Sequence, residues 1–414
     1  MKPNESADPN FKDPILRDFF VTKSGLIFSV LDYFHPKQGI RSVLRYIPDE
    51  NGPRIRKTNN KRYRKADFHE SFDYLKKECP EWVFDVAVVP RFEISEILKP
   101  NDAVRDIFEG AQKNEAAKAL IQKFKEIGIS LKAMGISGSI LPGLENEESD
   151  IDFLVYGKEW FEAREKLTEM KNEMKLKEAE KKKETGMKNE SEMKNESEVE
   201  KEPEVEKEPE VEKEPEMKNE SEMKNEPEMK NEPEVEKEPE IKNAETKEEI
   251  KKNCFTVSEL DDTMWKKIYE KRKSPLSFED FKRHEIRKNN RGMLISETGE
   301  KVYFDLLFVR SDDQIRTPIQ KGKDTKKRII EAVIRKDDFA FDNPAVYQID
   351  HPEIEEIYSY THTYAGQALK GEKIRARGIV EEIGNKKRLV IGTSREATDE
   401  WMISLSLLEK GNTD

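Results

Sequence analysis

A sixty-residue stretch built from a repeated hexapeptide is the feature that most limits how this chain can fold. From Met187 to Thr246 the sequence repeats Met-Lys-Asn-Glu-Ser/Pro-Glu or Val-Glu-Lys-Glu-Pro-Glu, without an aromatic residue. Such a segment has too little apolar surface to offset the conformational entropy that folding would cost. We therefore predict a disordered, low-complexity insertion that divides the folded part of the chain in two.

The acidity of the chain comes from this repeat. The tract holds 10 lysines and 23 acidic residues, whereas the whole chain holds 75 basic and 87 acidic residues, with a net charge of −12. The remainder is almost neutral, with 65 basic and 64 acidic residues. The overall charge therefore does not argue against binding to nucleic acid.

The cysteines and the hydrophobicity pattern point to a reducing compartment. Cys79 and Cys254 are far apart and show neither disulfide nor zinc-site spacing. Residues 1–13 lack the apolar core of a signal peptide, and no apolar run reaches the length of a membrane span. We expect a cytoplasmic protein with no membrane partner.

One motif combines a small-residue turn with two closely spaced carboxylates. Gly138-Ser139 is followed, after ten residues, by Asp150-Ile151-Asp152, and apolar runs precede the turn and follow the second aspartate. Side chains alternate along a strand, so Asp150 and Asp152 should share one face. Two carboxylates on one face suit Mg²⁺ or Mn²⁺ bound together with substrate phosphates. A glycine at a turn leading into a helix would let backbone N–H groups approach a triphosphate, and Ser139 can add a hydroxyl.

A third carboxylate is expected on a neighbouring strand. Asp305 interrupts the apolar run Lys301–Val309 and could bind a metal and help deprotonate an attacking hydroxyl. The alternative is a strand carboxylate that is simply paired with a cation. Asp312 and Asp313 are competing candidates beyond that run.

At these residues the chain resembles the polymerase-beta-like nucleotidyltransferase superfamily, whose signature is an apolar residue, Gly, Gly or Ser, a short gap and Asp-apolar-Asp/Glu. The resemblance implies that Gly138 and Ser139 bind nucleotide phosphates, and that Asp150, Asp152 and Asp305 bind the metal and are catalytic. It also implies transfer of a nucleoside monophosphate from an NTP to a hydroxyl acceptor, with release of pyrophosphate. The flanking modules look like those of archaeal predicted nucleotidyltransferases.

The expected fold class is α+β, with a mixed nucleotidyltransferase-type sheet flanked by two β-rich modules. We predict the following parts: a β-rich N-terminal module at residues 1–100, the core at residues 101–186 and 247–315, the disordered insertion at 187–246, and a helix plus a small β-domain of OB or barrel type at 316–414. Apolar periodicity predicts a hairpin over Gly25–Ile47. It predicts helices over Asp102–Ile127, Trp160 to about Lys183, Thr256–Lys273, Ser277–Lys288 and Thr325–Ile334. Strands are predicted over Trp82–Val89, Ile129–Ile136, Asp150–Tyr156, Lys301–Val309 and Trp401–Leu407.

A basic stretch suggests a nucleic-acid partner. Residues 54–65 contain seven basic side chains and one tyrosine; this is either a solvated loop or a contact to RNA or DNA. The candidate contacts are Arg54, Arg56, Arg62, Arg64 and Lys65. The alternatives to a general nucleotidyltransferase are an RNA-end transferase of CCA-adding or poly(A) type and a catalytically inactive nucleic-acid-binding member of the fold. A protein acceptor also remains open.

Overall fold

The structure is a computed structural model that describes residues 11–172, 175, 255–272, 274–392 and 399–410. The predicted disordered insertion at residues 187–246 lies outside these residues, as does the end of the helix predicted to reach Lys183. In the part that is described, no helix is both long and apolar enough to cross a membrane. The described residues all belong to one compact unit.

The first sheet makes the N-terminal region rich in β-structure. Its seven strands are β1 (Phe19–Thr22), β2 (Ile27–Val30), β3 (Ile40–Pro48), β4 (Arg54–Ile55), β5 (Arg62–Lys65), β6 (Ala87–Val89) and β7 (Ile94–Leu98). They are ordered β4-β5-β3-β2-β1-β7, and β6 pairs with β3. The antiparallel β2–β3 pair is the hairpin predicted from the sequence. Helix α1 (Phe68–Glu78) begins after Asp67, whose side chain accepts a hydrogen bond from the backbone N–H of Glu70 at 2.9 Å.

The second sheet is the mixed sheet expected of the core. Its strands are β8 (Met134–Ile136), β9 (Ile151–Tyr156), β10 (Phe255–Ser258), β11 (Arg291–Ser296) and β12 (Lys301–Val309). Their order is β10-β11-β12-β9-β8; β9 and β12 are parallel and the other neighbours are antiparallel. The helices of this region are α2 (Pro100–Phe108), α3 (Glu115–Glu126), α4 (residues 159–172), α5 (Asp262–Arg272) and α6 (Phe278–Lys288). Phe124 of α3 stacks on Phe153 of β9 at 4.9 Å between ring centroids, so this face of the sheet is buried.

The third sheet closes into a barrel. Its strands are β13 (Lys323–Phe339), β14 (Ala345–Asp350), β15 (Glu356–Ser359), β16 (Lys373–Ile383), β17 (Lys386–Ile391) and β18 (Trp401–Ser404), followed by helix α7 (Leu405–Lys410). The order is β13-β14-β15-β17-β16-β18, and β13 also pairs with β16. Strands β15 and β17 are parallel. This closed five-stranded circuit is of the OB type that the sequence suggested.

The helix predicted over Thr325–Ile334 is wrong, because these residues belong to β13. Their burial has a period of two: Ile330, Ala332 and Ile334 face the core, whereas Ile329 and Val333 are exposed. Because this segment has many charged residues and also apolar residues on both faces, its sequence resembles that of an amphipathic helix. The segment forms a strand because it pairs with two neighbouring strands, β14 and β16.

Other boundaries also differ from the predictions. The helix predicted over Asp102–Ile127 is two helices, because the chain turns at Gly110 (φ +84°) and Asn114 caps α3. The helix predicted over Thr256–Lys273 begins as strand β10, whose apolar side chains alternate into the core. The strands predicted over Trp82–Val89, Ile129–Ile136 and Trp401–Leu407 are limited to β6, β8 and β18.

Candidate active site

The turn at Gly138 packs directly against the strand that carries a predicted metal ligand. The backbone N–H of Ser137 donates to the carbonyl oxygen of Asp152 at 2.9 Å. Gly138 has φ +66°, and a Cβ atom at this position would lie 2.0 Å from Oδ2 of Asp152. Only glycine satisfies both the left-handed backbone and this close approach.

The turn does not lead into an α-helix, contrary to the expectation from its glycine. Residues 138–143 form consecutive turns. The N–H of Leu144 donates to the carbonyl of Ser139 at 2.9 Å, and Ser139 itself is buried. Any phosphate contact here must therefore use the N–H groups of the turn or the Ser139 hydroxyl, and not a helix N-terminus.

Asp152 and Asp305 lie opposite each other on two parallel strands. They are register partners across β9 and β12, so their side chains share one face of the sheet. Asp150 is exposed just before β9. The pKa of Asp152 is raised from 3.8 to about 6, first by burial, and also by the charges of Asp150 and Asp305, while Arg17 acts in the opposite direction. The structure thus places Asp152 within electrostatic reach of both other predicted acidic residues.

Asp305 is held by two neighbours. Its Oδ1 accepts hydrogen bonds from Nε of Arg291 at 2.9 Å and from the hydroxyl of Tyr303 at 2.7 Å. These contacts match the alternative of a cation-paired strand carboxylate, and they also fix the orientation of the carboxylate. The competing Asp312 and Asp313 are exposed in a short 3₁₀ helix after β12 and do not lie opposite Asp152.

A buried charge network stands behind Asp305. Helix α6 carries Glu285 and Lys288 one turn apart, and the chain then enters β11 at Arg291. Glu285 pairs with both Lys288 and Arg291, and all three are nearly inaccessible to solvent. Burial opposes the charged form of Glu285, but the charges of Arg291 and Lys288 lower its pKa to about 2. Arg291 is therefore fixed by the carboxylate of Glu285 and itself fixes the carboxylate of Asp305.

Arg17, which sequence analysis missed, joins the site from the N-terminal region. Its φ of +75° is unusual for a residue with a side chain. Its carbonyl accepts a hydrogen bond from Oγ of Ser137 at 2.8 Å, and its Nη2 donates to Nε2 of His362 at 2.8 Å. Arg17 thus links the Gly138 turn to the barrel. No local sequence pattern marks this isolated arginine.

The predicted nucleic-acid contacts lie on or beside the β4–β5 hairpin, and several of them bind the loop that follows Gly138. Arg54 Nη1 donates to the carbonyl of Leu144 at 2.5 Å, and Arg56 Nε donates to that of Pro142 at 3.2 Å. Arg56 is only 4% exposed and pairs with Glu96. The other three residues lie on β5: Arg62 donates to the carbonyl of Gly52, Arg64 pairs with Glu70 and Asp49, and Lys65 is exposed.

The carboxylates suit a divalent cation that is shared with a substrate. Among the described residues, no three His, Cys, Asp or Glu side chains form a ready-made metal site. Mg²⁺ usually binds through one or two carboxylates together with substrate phosphates. The raised pKa of Asp152 reflects burial and repulsion among carboxylates, and a cation relieves that repulsion. The residues present fit such a group.

Comparison with known protein families identifies the region that contains the Gly138 turn. Residues 113–254, which include Gly138, Ser139, Asp150 and Asp152, match a family described as a nucleotidyltransferase domain. The chain belongs to the polymerase-beta-like nucleotidyltransferase superfamily. An uncharacterized protein of Methanocaldococcus jannaschii is 30% identical to it over 418 residues, covering 94% of this chain and 98% of the relative. No solved structure matches the chain.

Proposed function

We propose that this protein is a metal-dependent nucleotidyltransferase that moves a nucleoside monophosphate from an NTP to a hydroxyl acceptor and releases pyrophosphate. The observation that carries the proposal is that Asp152 and Asp305 are register partners on parallel strands, with Gly138 packed against the Asp152 carboxylate. The superfamily supplies the general reaction class, and the paired carboxylates support dependence on a metal.

Asp150 and Asp152 would hold Mg²⁺ or Mn²⁺, which neutralises phosphate charge and lowers the barrier to attack when it is bound. Gly138 leaves room for the Asp152 carboxylate to lie against the turn, and Ser139 offers a hydroxyl. Asp305 would accept the proton of the attacking hydroxyl. In the described contacts both hydrogen bonds to Asp305 reach Oδ1, which leaves Oδ2 for this role.

A nucleic-acid acceptor is the second candidate, as in an RNA-end transferase. The OB-type barrel favours it, because barrels of this type commonly bind oligonucleotides. The exposed Arg62 and Lys65 of β5 could add contacts to a phosphate backbone. A catalytically inactive nucleic-acid binder would share these surfaces without using the carboxylates.

One experiment separates these readings. Purified protein is incubated with each α-labelled NTP, Mg²⁺ or Mn²⁺, and total cellular RNA and protein, with Asp152→Asn as the matched control. We expect label to be transferred by the parent protein and not by the variant. Label in RNA identifies the RNA-end transferase, and label in protein identifies a protein acceptor. Tight RNA binding without any transfer of label would contradict the proposed activity and favour the inactive binder.

A further inference from the structure

A cavity of about 110 Å³ lies beside the predicted carboxylates. Strand β11 begins at Arg291, opposite Asp305, so β12 has no described partner strand on this side beyond Asp305. The barrel contributes His362 to the lining. The polar residues that matter here are Arg17, Asp152, Arg272, Arg291, Asp305 and His362. Neither Gly138 nor Ser139 lines the cavity, although Asp152, which packs against Gly138, does.

Two arginines of the cavity form no ion pair with a described side chain. Arg17 donates to Nε2 of His362, which must be an unprotonated acceptor because a guanidinium only donates. Arg272 Nη1 donates to the hydroxyl of Thr363 at 3.2 Å. Among the described side chains, neither arginine forms an ion pair. Burial, followed by the like charge of Arg291, lowers the pKa of Arg272, as expected for a cation that is not fully compensated.

The cavity also holds an unpartnered donor. Trp160 is fully buried, and its Nε1–H has no hydrogen-bond partner among the described residues. A buried N–H group without an acceptor is costly, so an oxygen of a bound molecule would stabilise it. This observation is independent of the two arginines. Because the buried Oδ1 of Asn290 in the same lining also lacks a partner among the described residues, the two groups point to a ligand that accepts hydrogen bonds and can also donate one.

The need for an anion in the cavity is greatest when Asp152 binds a cation. Without a metal, Arg17 is partly balanced by Asp152, whose pKa it lowers. A cation held by Asp152 would remove that balance and leave the positive charge of Arg17 uncompensated.

We propose that this cavity binds a phosphate group of the acceptor substrate, on the Asp305 side of the reaction centre. The inference rests on the proposed function and narrows the acceptor to a phosphorylated molecule, such as a nucleotide or a nucleic-acid end. The chemistry alone would also fit a phosphate of the NTP or the pyrophosphate product, so the test must separate these sources.

The test uses labelled inorganic phosphate as the probe and measures its equilibrium binding to the full-length protein. Arg17→Gln and Arg272→Gln are compared with Arg316→Gln, which changes an exposed arginine outside the cavity. Binding is measured with and without Mg²⁺ and a saturating α,β-methylene analogue of the NTP. We expect each cavity variant to weaken phosphate binding about tenfold, the effect of losing one charged hydrogen bond. We also expect the Arg316 control, and the nucleotide affinity of the Arg272 variant, to stay within about twofold of the parent protein.

The outcomes are distinct. Persistence of phosphate binding with the nucleotide analogue present supports an acceptor site. Displacement of phosphate by the analogue, or an equal loss of nucleotide affinity in Arg272→Gln, assigns the cavity to the NTP and overturns the proposal. Absence of phosphate binding in the parent protein also overturns it. Failure of the parent to bind nucleotide would count against the proposed function, while phosphate binding would still be tested without the analogue. Arg272→Lys guards against misfolding, because it keeps the charge and should retain part of the binding.

Discussion

A Cβ atom on Gly138 would lie 2.0 Å from Oδ2 of Asp152, closer than any non-bonded contact allows. Gly138→Ala should therefore displace the Asp152 carboxylate in addition to straining the backbone. Because small displacements of catalytic groups are costly, we expect turnover to fall about a hundredfold. Steady-state kinetics measures this effect.

Gly384→Ala is the matched control for this change. Gly384 has a similar φ of +59°, but a Cβ there would meet nothing within 4 Å. The variant should show the same type of backbone strain, of about 1 kcal/mol, with near-normal turnover. Equal losses of turnover in the two variants would mean that backbone strain alone explains the effect, and that contact with Asp152 is irrelevant.

Asp152→Asn should abolish turnover and yet stabilise the metal-free protein. The pKa of Asp152 is about 6 in the fold against an ordinary value of 3.8, so its ionisation destabilises the folded state increasingly from about pH 4 and fully above about pH 6. Removal of the charge should raise the free energy of unfolding by at most about 3 kcal/mol at pH 7.5. The gain should shrink as the pH falls from 6 and vanish below about 4. Urea unfolding in EDTA at several pH values provides the measurement, and a gain that did not depend on pH would contradict this account.

Asp305→Asn should reduce kcat by orders of magnitude with a modest change in NTP affinity, because the residue would act on the attacking hydroxyl. Asp313→Asn, which changes an exposed carboxylate outside the strand, is the control and should keep normal turnover. The comparison requires kcat and nucleotide Kd for both variants. Near-normal kcat in Asp305→Asn would move the third carboxylate to Asp312 or Asp313.

Glu285→Gln should destabilise the fold severely. The change removes the anion shared by Lys288 and Arg291. Lys288 is then a buried cation without a counter-charge, and Arg291 keeps only Asp305, at a cost of about 3–5 kcal/mol. Glu353→Gln, in an exposed pair with Arg328, should have little effect. Thermal unfolding of both variants at pH 7.5 is the measurement. A similar small shift in both would show that the buried network is not needed for stability.

Local spacing was enough to predict much of the candidate site. Gly138, Asp150 and Asp152 lie within one short segment, and Asp305 stands out because it interrupts an apolar strand. The parts that could not be predicted depend on tertiary pairing. Arg17 reaches the site only because the first sheet packs beside the second, and the contact between Arg291 and Asp305 depends on the register of β11 with β12.

The same distinction applies to the fold. The β2–β3 hairpin and strands β9 and β12 were predictable because apolar residues cluster between clear turn signals. Strand β13 was not, since its alternating burial is set by partners far away in the sequence. The charged residues of an exposed barrel strand show no periodicity that distinguishes the strand from a helix.

The parallel pairing of β9 with β12 also determines when the second sheet can form during synthesis. About 150 residues separate Asp152 from Asp305, and a ribosome adding roughly 5–20 residues per second needs about 8–30 s to cross that distance. During this interval the edge of β9 that will receive β12 has no partner, because β12 has not yet been synthesised. Nascent chains on neighbouring ribosomes of one messenger therefore expose the same open edge at the same time, so pairing between chains competes with the later pairing to β12.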